Sequence, residues 1–274
     1  MGHVRHMTSL SGYFIALLMV LAAPAGAQQI EDIVDLRLLP GWRQTEGAHM
    51  AALEITLADG WKTYWRAPGD GGLAPRFDWQ GSANLSSVEV IWPAPEVISQ
   101  GGVETIGYEG QVIVPLRVRP GQGDRAVQLS GRIEIGVCRD ICVPVTRTLS
   151  ATLRPDISQP DPRIVGAMAS RPFSAAEAGV TAVACTLTPR GDDIALKAEI
   201  DLPRQGGLET VIIETGTPAI RTETAQAARQ GGRLVAETLL KHARGAPLAG
   251  DGSDIRLTIL GDGQAVDIQG CPAG

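Results

Sequence analysis

Two cysteines four positions apart, Cys138 and Cys142, are the residues of this chain best suited to chemistry. Two thiols at this spacing can carry a pair of electrons by forming and breaking one disulfide bond, or they can form a static cross-link. A disulfide that closes so short a loop removes little entropy from the unfolded chain, so it would stabilise the fold only weakly. From spacing alone, three uses stay open: a redox-active pair, a structural cross-link and half of a metal site.

Alternating apolar and polar residues on both sides of the pair predict two strands that bring the sulfurs together. Residues 127–137 and 145–153 each alternate with the period of a half-buried strand. Cys138 then ends the first strand and Cys142 begins the second, with residues 139–141 as a hairpin turn of ordinary length. Facing residues of an antiparallel pair have Cα atoms about 4.5–5.5 Å apart, which is within the reach of a disulfide.

Arg139 and Asp140 lie in this turn and would act on a cysteine thiolate in opposite directions. A guanidinium group favours the anion, whereas a carboxylate opposes it, so the sequence gives no sign for their net effect on the cysteine pKa. No helix begins at this turn. We therefore expect ordinary thiol pKa values and an exchange rate that depends on the docked partner.

The first 27 residues have the pattern of an export signal. Arg5 and His6 give a basic start, residues 13–21 form an apolar run, and residues 25–27 read Ala-Gly-Ala. The pattern predicts cleavage after Ala27 and a location outside the cytoplasm, where disulfides persist; the family resemblance described below implies that this location is the periplasm. The apolar run is too short to span a bilayer and no later segment is suitable, so we expect no stable membrane insertion.

Charge and composition argue against several classes of partner. The chain has 24 Lys and Arg against 30 Asp and Glu, a net charge of −6, and its basic residues are not clustered. Nucleic acids and anionic membranes are therefore not expected partners. Beyond residue 27, the histidines are His49 and His242 and the methionines are Met50 and Met168. These are too few for a zinc or copper site of the usual kind, so we expect no metal and no cofactor.

Short strands separated by turn signals predict an all-β fold with two β-sandwich domains in tandem. The first, residues 28–153, contains all five tryptophans, most of which we expect in its core and one or two beside the cysteine hairpin. Residues 154–178 are predicted to form a proline-rich linker with a short helix. Residues 179–274 form the second sandwich. Its sequence has no aromatic residue and shows no cluster of titratable residues, which suggests a spacer or docking module.

Cys185 and Cys271 remain as a second pair once the local pair is joined. Cys185 lies on the apolar face of a predicted strand with Val183 and Leu187, so we expect it to be buried and unreactive. A bridge between Cys185 and Cys271 closes a long loop and should stabilise the fold by about 3–4 kcal/mol. We interpret it as a structural disulfide, with a second redox site as the alternative.

Four short motifs follow one another along the first half of the chain. They are GWKTYWRAPG at residues 60–69, WPAP at 92–95, GY at 107–108 and CRDICVP at 138–144. In this order they resemble the periplasmic N-terminal domain of the thiol:disulfide interchange protein DsbD. The resemblance covers about residues 30–153 and is closer to the ScsB-type branch, in which a second immunoglobulin-like domain follows.

The resemblance implies an electron shuttle. A membrane partner would reduce the disulfide, and the dithiol would then reduce periplasmic thioredoxin-fold proteins, including disulfide isomerases and cytochrome c maturation factors. By the same resemblance, Cys142 would attack the client disulfide, Cys138 would resolve the mixed disulfide, and Tyr64 matches the family's aromatic residue near the active site. The chain lacks the membrane and thioredoxin-like domains of DsbD, so it would need a separate membrane-embedded reductant.

Two departures from the family pattern affect this interpretation. DsbD spaces its cysteines more widely, and its short cap loop presents aromatic residues, whereas the corresponding stretch here, about Gln100 to Glu104, has none. Shielding of the disulfide must then be weaker or come from another residue. Two other functions stay open: a binding or scaffold module with a permanent disulfide, and a metallochaperone that uses the Cys138 and Cys142 thiolates.

Overall fold

The computed structural model describes residues 1–3, 30–69, 71–217, 220–242 and 252–272. Apart from its first three residues, the predicted export signal lies outside this part of the chain. Within it, no helix is long and apolar enough to cross a membrane. The described residues form four β-sheets, which confirms the prediction of an all-β fold.

The first two sheets form a β-sandwich that follows a four-residue helix, α1 (Ile30–Ile33). Its strands are β1 (Val34–Arg43), β2 (His49–Leu57), β3 (Lys62–Tyr64), β4 (Arg76–Asp78), β5 (Leu85–Val90), β6 (Glu96–Gln100), β7 (Val103–Glu109), β8 (Gln111–Pro120), β9 (Val127–Cys138) and β10 (Cys142–Leu153). One sheet has the order β1-β2-β8-β5. The other has the order β10-β9-β3-β7-β6, with β4 also paired to β9.

An apolar core between these sheets fixes the strands that carry the cysteines. Leu53 and Val114 from the first sheet pack in one cluster with Ile133 and Val137 from the second and with Trp65, which directly follows β3, and all five are fully buried. Burial alternates from Val127 to Ile135 along β9, as the sequence predicted, because successive side chains of a strand point to opposite faces; beyond Ile135 every residue up to Cys138 is buried. The end of β9 is therefore anchored by the core directly before Cys138.

A short helix, α2 (Pro162–Ala169), follows the first sandwich at the predicted place. Asp161 caps it by accepting a hydrogen bond from the backbone N–H of Arg163 at 2.9 Å, and Pro162 occupies its first turn. Ile164 is fully buried, and it packs in a cluster with Leu39, Trp42, Met50 and Ala52. The helix is therefore packed on β1 and β2 of the first sandwich and is not a free linker.

The remaining two sheets form a second β-sandwich. Its strands are β11 (Phe173–Ser174), β12 (Ala182–Arg190), β13 (Asp193–Asp201), β14 (Thr210–Glu214), β15 (Ile220–Thr222), β16 (Gln226–Gln230), β17 (Arg233–His242), β18 (Arg256–Leu260) and β19 (Ala265–Gln269). One sheet has the order β11-β19-β18-β14, and the other β12-β13-β17-β15, with β16 also paired to β17. Because β11 pairs with β19, this sandwich draws on residues before Gly179.

A disulfide joins the two sheets of the second sandwich. Cys185 lies in β12 and Cys271 lies two residues beyond β19; their Cα atoms are 5.5 Å apart and both residues are buried. The surrounding core is aliphatic and includes Leu196, Ile200 and Leu257. The bridge therefore cross-links an aliphatic core, whereas aromatic side chains fill part of the core of the first sandwich.

Candidate redox site

The β9–β10 hairpin places Cys138 directly opposite Cys142. The two strands pair without interruption from Val127↔Leu153 to this last pair, and the Cα atoms of the cysteines are 4.1 Å apart. The backbone N–H of Arg139 donates to the carbonyl of Ile141 at 3.0 Å, which closes the turn. The sulfurs are joined in a disulfide.

The two cysteines differ in exposure. Cys138 is only 1% exposed, because it lies in β9, which is flanked by β10 and β3. Cys142 begins β10, the edge strand, and is exposed. A visiting protein therefore meets Cys142 first. Reduction would leave one accessible thiol and one shielded thiol, which is the arrangement that stepwise exchange requires.

The hydroxyl of Tyr64 contacts both sulfurs from β3. It donates to Sγ of Cys138 at 2.9 Å and lies 3.4 Å from Sγ of Cys142. Burial raises the pKa of Tyr64, so its hydroxyl keeps its proton and can act as a donor at neutral pH. Such a donor would stabilise a thiolate formed at either cysteine.

Arg139 and Asp140 are paired with each other at 3.0 Å, and both side chains are exposed. The guanidinium of Arg139 also lies 5.1 Å from the ring centre of Trp61. Trp61 is buried and directly precedes β3, the strand that pairs with β9. The hydrogen bonds that described residues make to the sulfurs come from Tyr64. The support that the sequence assigned to the turn residues therefore stays a prediction.

Two glycines allow other residues to pack closely around Tyr64. A Cβ on Gly136 would lie 2.8 Å from Cβ of Leu73 and 3.1 Å from the Tyr64 ring, and a Cβ on Gly72 would lie 2.9 Å from that ring. Gly72 and Leu73 thus lie against Tyr64 and against the strand that carries Cys138. Larger residues at either glycine would separate these groups.

Residues 35–154 match the family model described as thiol:disulfide interchange protein DsbD, N-terminal. The segment belongs to the DsbD N-terminal domain family. A search of curated proteins found no match.

A solved structure extends the likeness beyond the DsbD N-terminal segment. The crystal structure of the N-terminal periplasmic domain of ScsB from Proteus mirabilis superposes with a TM-score of 0.67, covering 89% of this chain and 95% of that one. Sequence identity is 21%, so the comparison concerns the fold. The coverage means that the shared architecture includes the second sandwich.

The stretch expected to correspond to the DsbD cap loop has a different form. Gln100 ends β6 and Glu104 lies in β7, so the stretch is the tip of a hairpin. Gly101 and Gly102 both have positive φ, 60° and 81°, which a two-residue hairpin turn between antiparallel strands requires. The cover beside Tyr64 comes instead from Gly72 and Leu73.

Sequence reasoning missed Leu73 and Gly136 as parts of this site. Leu73 is 46% exposed and lies beside Tyr64, which places it on the rim of the site. A glycine within the alternating pattern of β9 was the available signal for Gly136, because glycine in a strand often marks close approach of another group.

We expect Tyr64→Phe to raise the pKa of the reduced cysteine pair. Removing the hydroxyl removes a donor to the thiolate, worth about 1.5–3 kcal/mol for a charged partner, so the pKa should rise by about one unit or more. The measurement is the rate of alkylation of the reduced protein as a function of pH.

Tyr108→Phe is the matched control for this experiment. It removes another buried tyrosine hydroxyl, which donates to the carbonyl of Pro93 at 2.8 Å and has no contact with the sulfurs. An equal displacement of the pH profile in both variants, or none in Tyr64→Phe, would contradict the role of the Tyr64 hydroxyl.

Proposed function

We propose that this chain is a periplasmic thiol:disulfide interchange protein. It passes electrons from a separate membrane-embedded reductant to thioredoxin-fold client proteins, which include disulfide isomerases and cytochrome c maturation factors, through Cys138 and Cys142. The observation that carries the proposal is the disulfide at the end of the β9–β10 hairpin, with one exposed cysteine and a tyrosine hydroxyl on its sulfurs. Membership of residues 35–154 in the DsbD N-terminal family supports the chemistry.

The exposure difference supports a defined order of steps. In the reduced protein, the Cys142 thiolate attacks a client disulfide, forming a mixed disulfide and releasing one client thiolate. The Cys138 sulfur then attacks Sγ of Cys142, which restores the internal disulfide and releases the second client thiol. Two electrons and two protons pass from this chain to the client.

Tyr64 supports the second step of this sequence. Its hydroxyl already donates to Sγ of Cys138 in the oxidised state, and it is held by β3 between β9 and β7. A stronger bond to the Cys138 thiolate would favour that anion as the nucleophile that resolves the mixed disulfide. The membrane reductant then reverses the cycle by reducing the Cys138–Cys142 bond.

A titration against glutathione tests the proposal. We expect the reduction potential of the Cys138–Cys142 couple to lie within the range of known thiol-exchange proteins. Reduction should release two thiols per chain, since one residue of the pair is exposed. Cys185–Cys271 should stay oxidised, because both residues are buried. Release of no thiols would indicate a permanent disulfide and a scaffold function, and simultaneous release of four would indicate unfolding.

A further inference from the structure

Arg66 joins the first sandwich to the second, just two residues after Tyr64. Its Nε donates to Oε1 of Glu214 at 3.0 Å and its Nη2 donates to Oε2 of the same residue at 2.8 Å. Nη2 also donates to Oγ1 of Thr258 at 3.2 Å and lies 3.5 Å from Oδ1 of Asp267. These three acceptors all belong to the second sandwich.

The ion pairs around Arg66 form a connected and partly buried network. Asp267 also accepts two hydrogen bonds from Arg256, at 2.6 and 2.7 Å, so two guanidinium groups and two carboxylates alternate. The side chain of Arg66 is only 14% exposed. Removing the charge of Glu214 would leave two guanidinium groups to share the one carboxylate of Asp267 in a partly buried place, which is unfavourable.

Apolar contacts around this network give the two sandwiches a continuous interface. Leu260 and Ala265 of the second sandwich are buried within the core cluster of the first, and Ile212 packs against the same cluster. Arg66 itself stacks on the ring of Trp65 at 3.8 Å. The position of Arg66 is therefore fixed from both sides.

The residues on either side of Arg66 contact the disulfide or the tyrosine that lies on it. The N–H of Trp65 donates to the carbonyl of Ile106, and the N–H of Ile106 donates to the carbonyl of Pro68, both at 3.0 Å. Before this point the chain carries Tyr64, whose hydroxyl contacts both sulfurs. After it, Pro68 packs against Gly72, which lies on the Tyr64 ring.

We propose that Arg66 is a positioning residue through which the second sandwich holds Pro68, Gly72 and Leu73 against Tyr64 and thereby restricts access of small thiols to the Cys138 side of the disulfide, while Cys142 stays exposed to a docked partner. The second sandwich then acts on the redox site and is more than a spacer. The inference rests on the proposed function, because restricted access matters for a disulfide that exchanges.

The test compares the reduction rates of the two disulfides by dithiothreitol in the full chain. Glu214→Gln removes the charge that pairs with Arg66 while keeping the size of the side chain. We expect it to accelerate reduction of Cys138–Cys142 about tenfold, the effect of losing a charged hydrogen bond, and to leave Cys185–Cys271 unchanged.

Glu209→Gln is the matched control. Glu209 pairs with Arg229 at 2.6 Å, also in the second sandwich, and neither residue contacts Arg66 or the sulfurs. We expect the wild-type reduction rate of Cys138–Cys142 in this variant. Equal acceleration by Glu209→Gln and Glu214→Gln would show general loosening of the second sandwich and would overturn the proposal.

Two substitutions of Arg66 give an independent check. Arg66→Gln should accelerate reduction at least as much as Glu214→Gln does, because it also removes the contacts with Thr258 and Asp267. The double variant should be reduced no faster than Arg66→Gln, because the Glu214 pair is already lost in that variant. Arg66→Lys should recover part of the wild-type rate, since it keeps the charge without the bidentate geometry. Additive effects, or a wild-type rate in every variant, would refute the positioning role.

The outcome can be separated from that of the proposed function. If wild-type Cys138–Cys142 equilibrates with glutathione but Glu214→Gln is reduced at the wild-type rate, only the positioning role of Arg66 fails. If Glu214→Gln accelerates reduction by dithiothreitol but the wild-type pair never equilibrates with glutathione, the shielding is real and the interchange function fails.

Discussion

Cys142→Ala should lower the rate at which the reduced protein reduces a thioredoxin-fold client by about a thousandfold, to the background rate. The reason is exposure: Cys142 is the exposed member of the pair, and the 1% exposed Cys138 cannot meet a sulfur held in another folded protein. The measurement is the appearance of client thiols after mixing with reduced protein.

Cys138→Ala is the matched variant for this prediction. It keeps the attacking thiol, so the first half of the exchange proceeds at a rate similar to that of the wild type while turnover stops. Rapid attack by Cys142→Ala together with none by Cys138→Ala would reverse the assigned roles of the two cysteines.

The double variant Cys185→Ala/Cys271→Ala should lower the free energy of unfolding of the second sandwich by about 3–4 kcal/mol. The bridge spans 86 positions and ties β12 to the end of the chain beyond β19, so its loss frees a long loop in the unfolded state. Electron transfer through Cys138 and Cys142 should be unaffected below the new unfolding transition.

The distribution of aromatic residues makes this effect easy to localise. All five tryptophans lie in the first sandwich, so their fluorescence reports its unfolding in urea, while far-UV circular dichroism reports both sandwiches. A matched variant, Cys138→Ala/Cys142→Ala, should cost about 1 kcal/mol or less, because its disulfide closes a loop of only four positions. A large loss of stability in this local variant would indicate that the hairpin disulfide is structural.

The hairpin that carries the cysteines could be predicted from the sequence because its information is local. Alternation along β9 and β10 defines both faces, and the three residues between the cysteines define the turn, so the register Cys138↔Cys142 follows. The all-β class and most strands of both sandwiches follow from the same kind of pattern.

The β6–β7 hairpin could not be predicted from the sequence for a physical reason. Two consecutive glycines such as Gly101 and Gly102 can mark a break between elements, and with positive φ they also form a tight hairpin turn. The flanking strands Glu96–Gln100 and Val103–Glu109 lack a clear apolar alternation, since several of their residues are exposed. The local sequence is therefore compatible with either a break between elements or a hairpin turn.

The contacts that connect the second sandwich to the site could not be predicted from sequence patterns. Arg66 and Glu214 are 148 positions apart, and Asp267 is farther still. The interpretation that the second sandwich has no titratable cluster was wrong, because Glu214, Arg256 and Asp267 come together from three strands of one sheet. A cluster assembled by sheet pairing leaves no local motif.

The central claim is tested most directly by trapping the exchange intermediate. Reduced Cys138→Ala protein, mixed with an oxidised thioredoxin-fold client, should form a covalent complex that dithiothreitol releases, and peptide mapping should place the bond at Cys142. The complex should be absent from the variant lacking both Cys138 and Cys142. Absence of any complex with Cys138→Ala, or a bond through Cys185 or Cys271, would contradict the account.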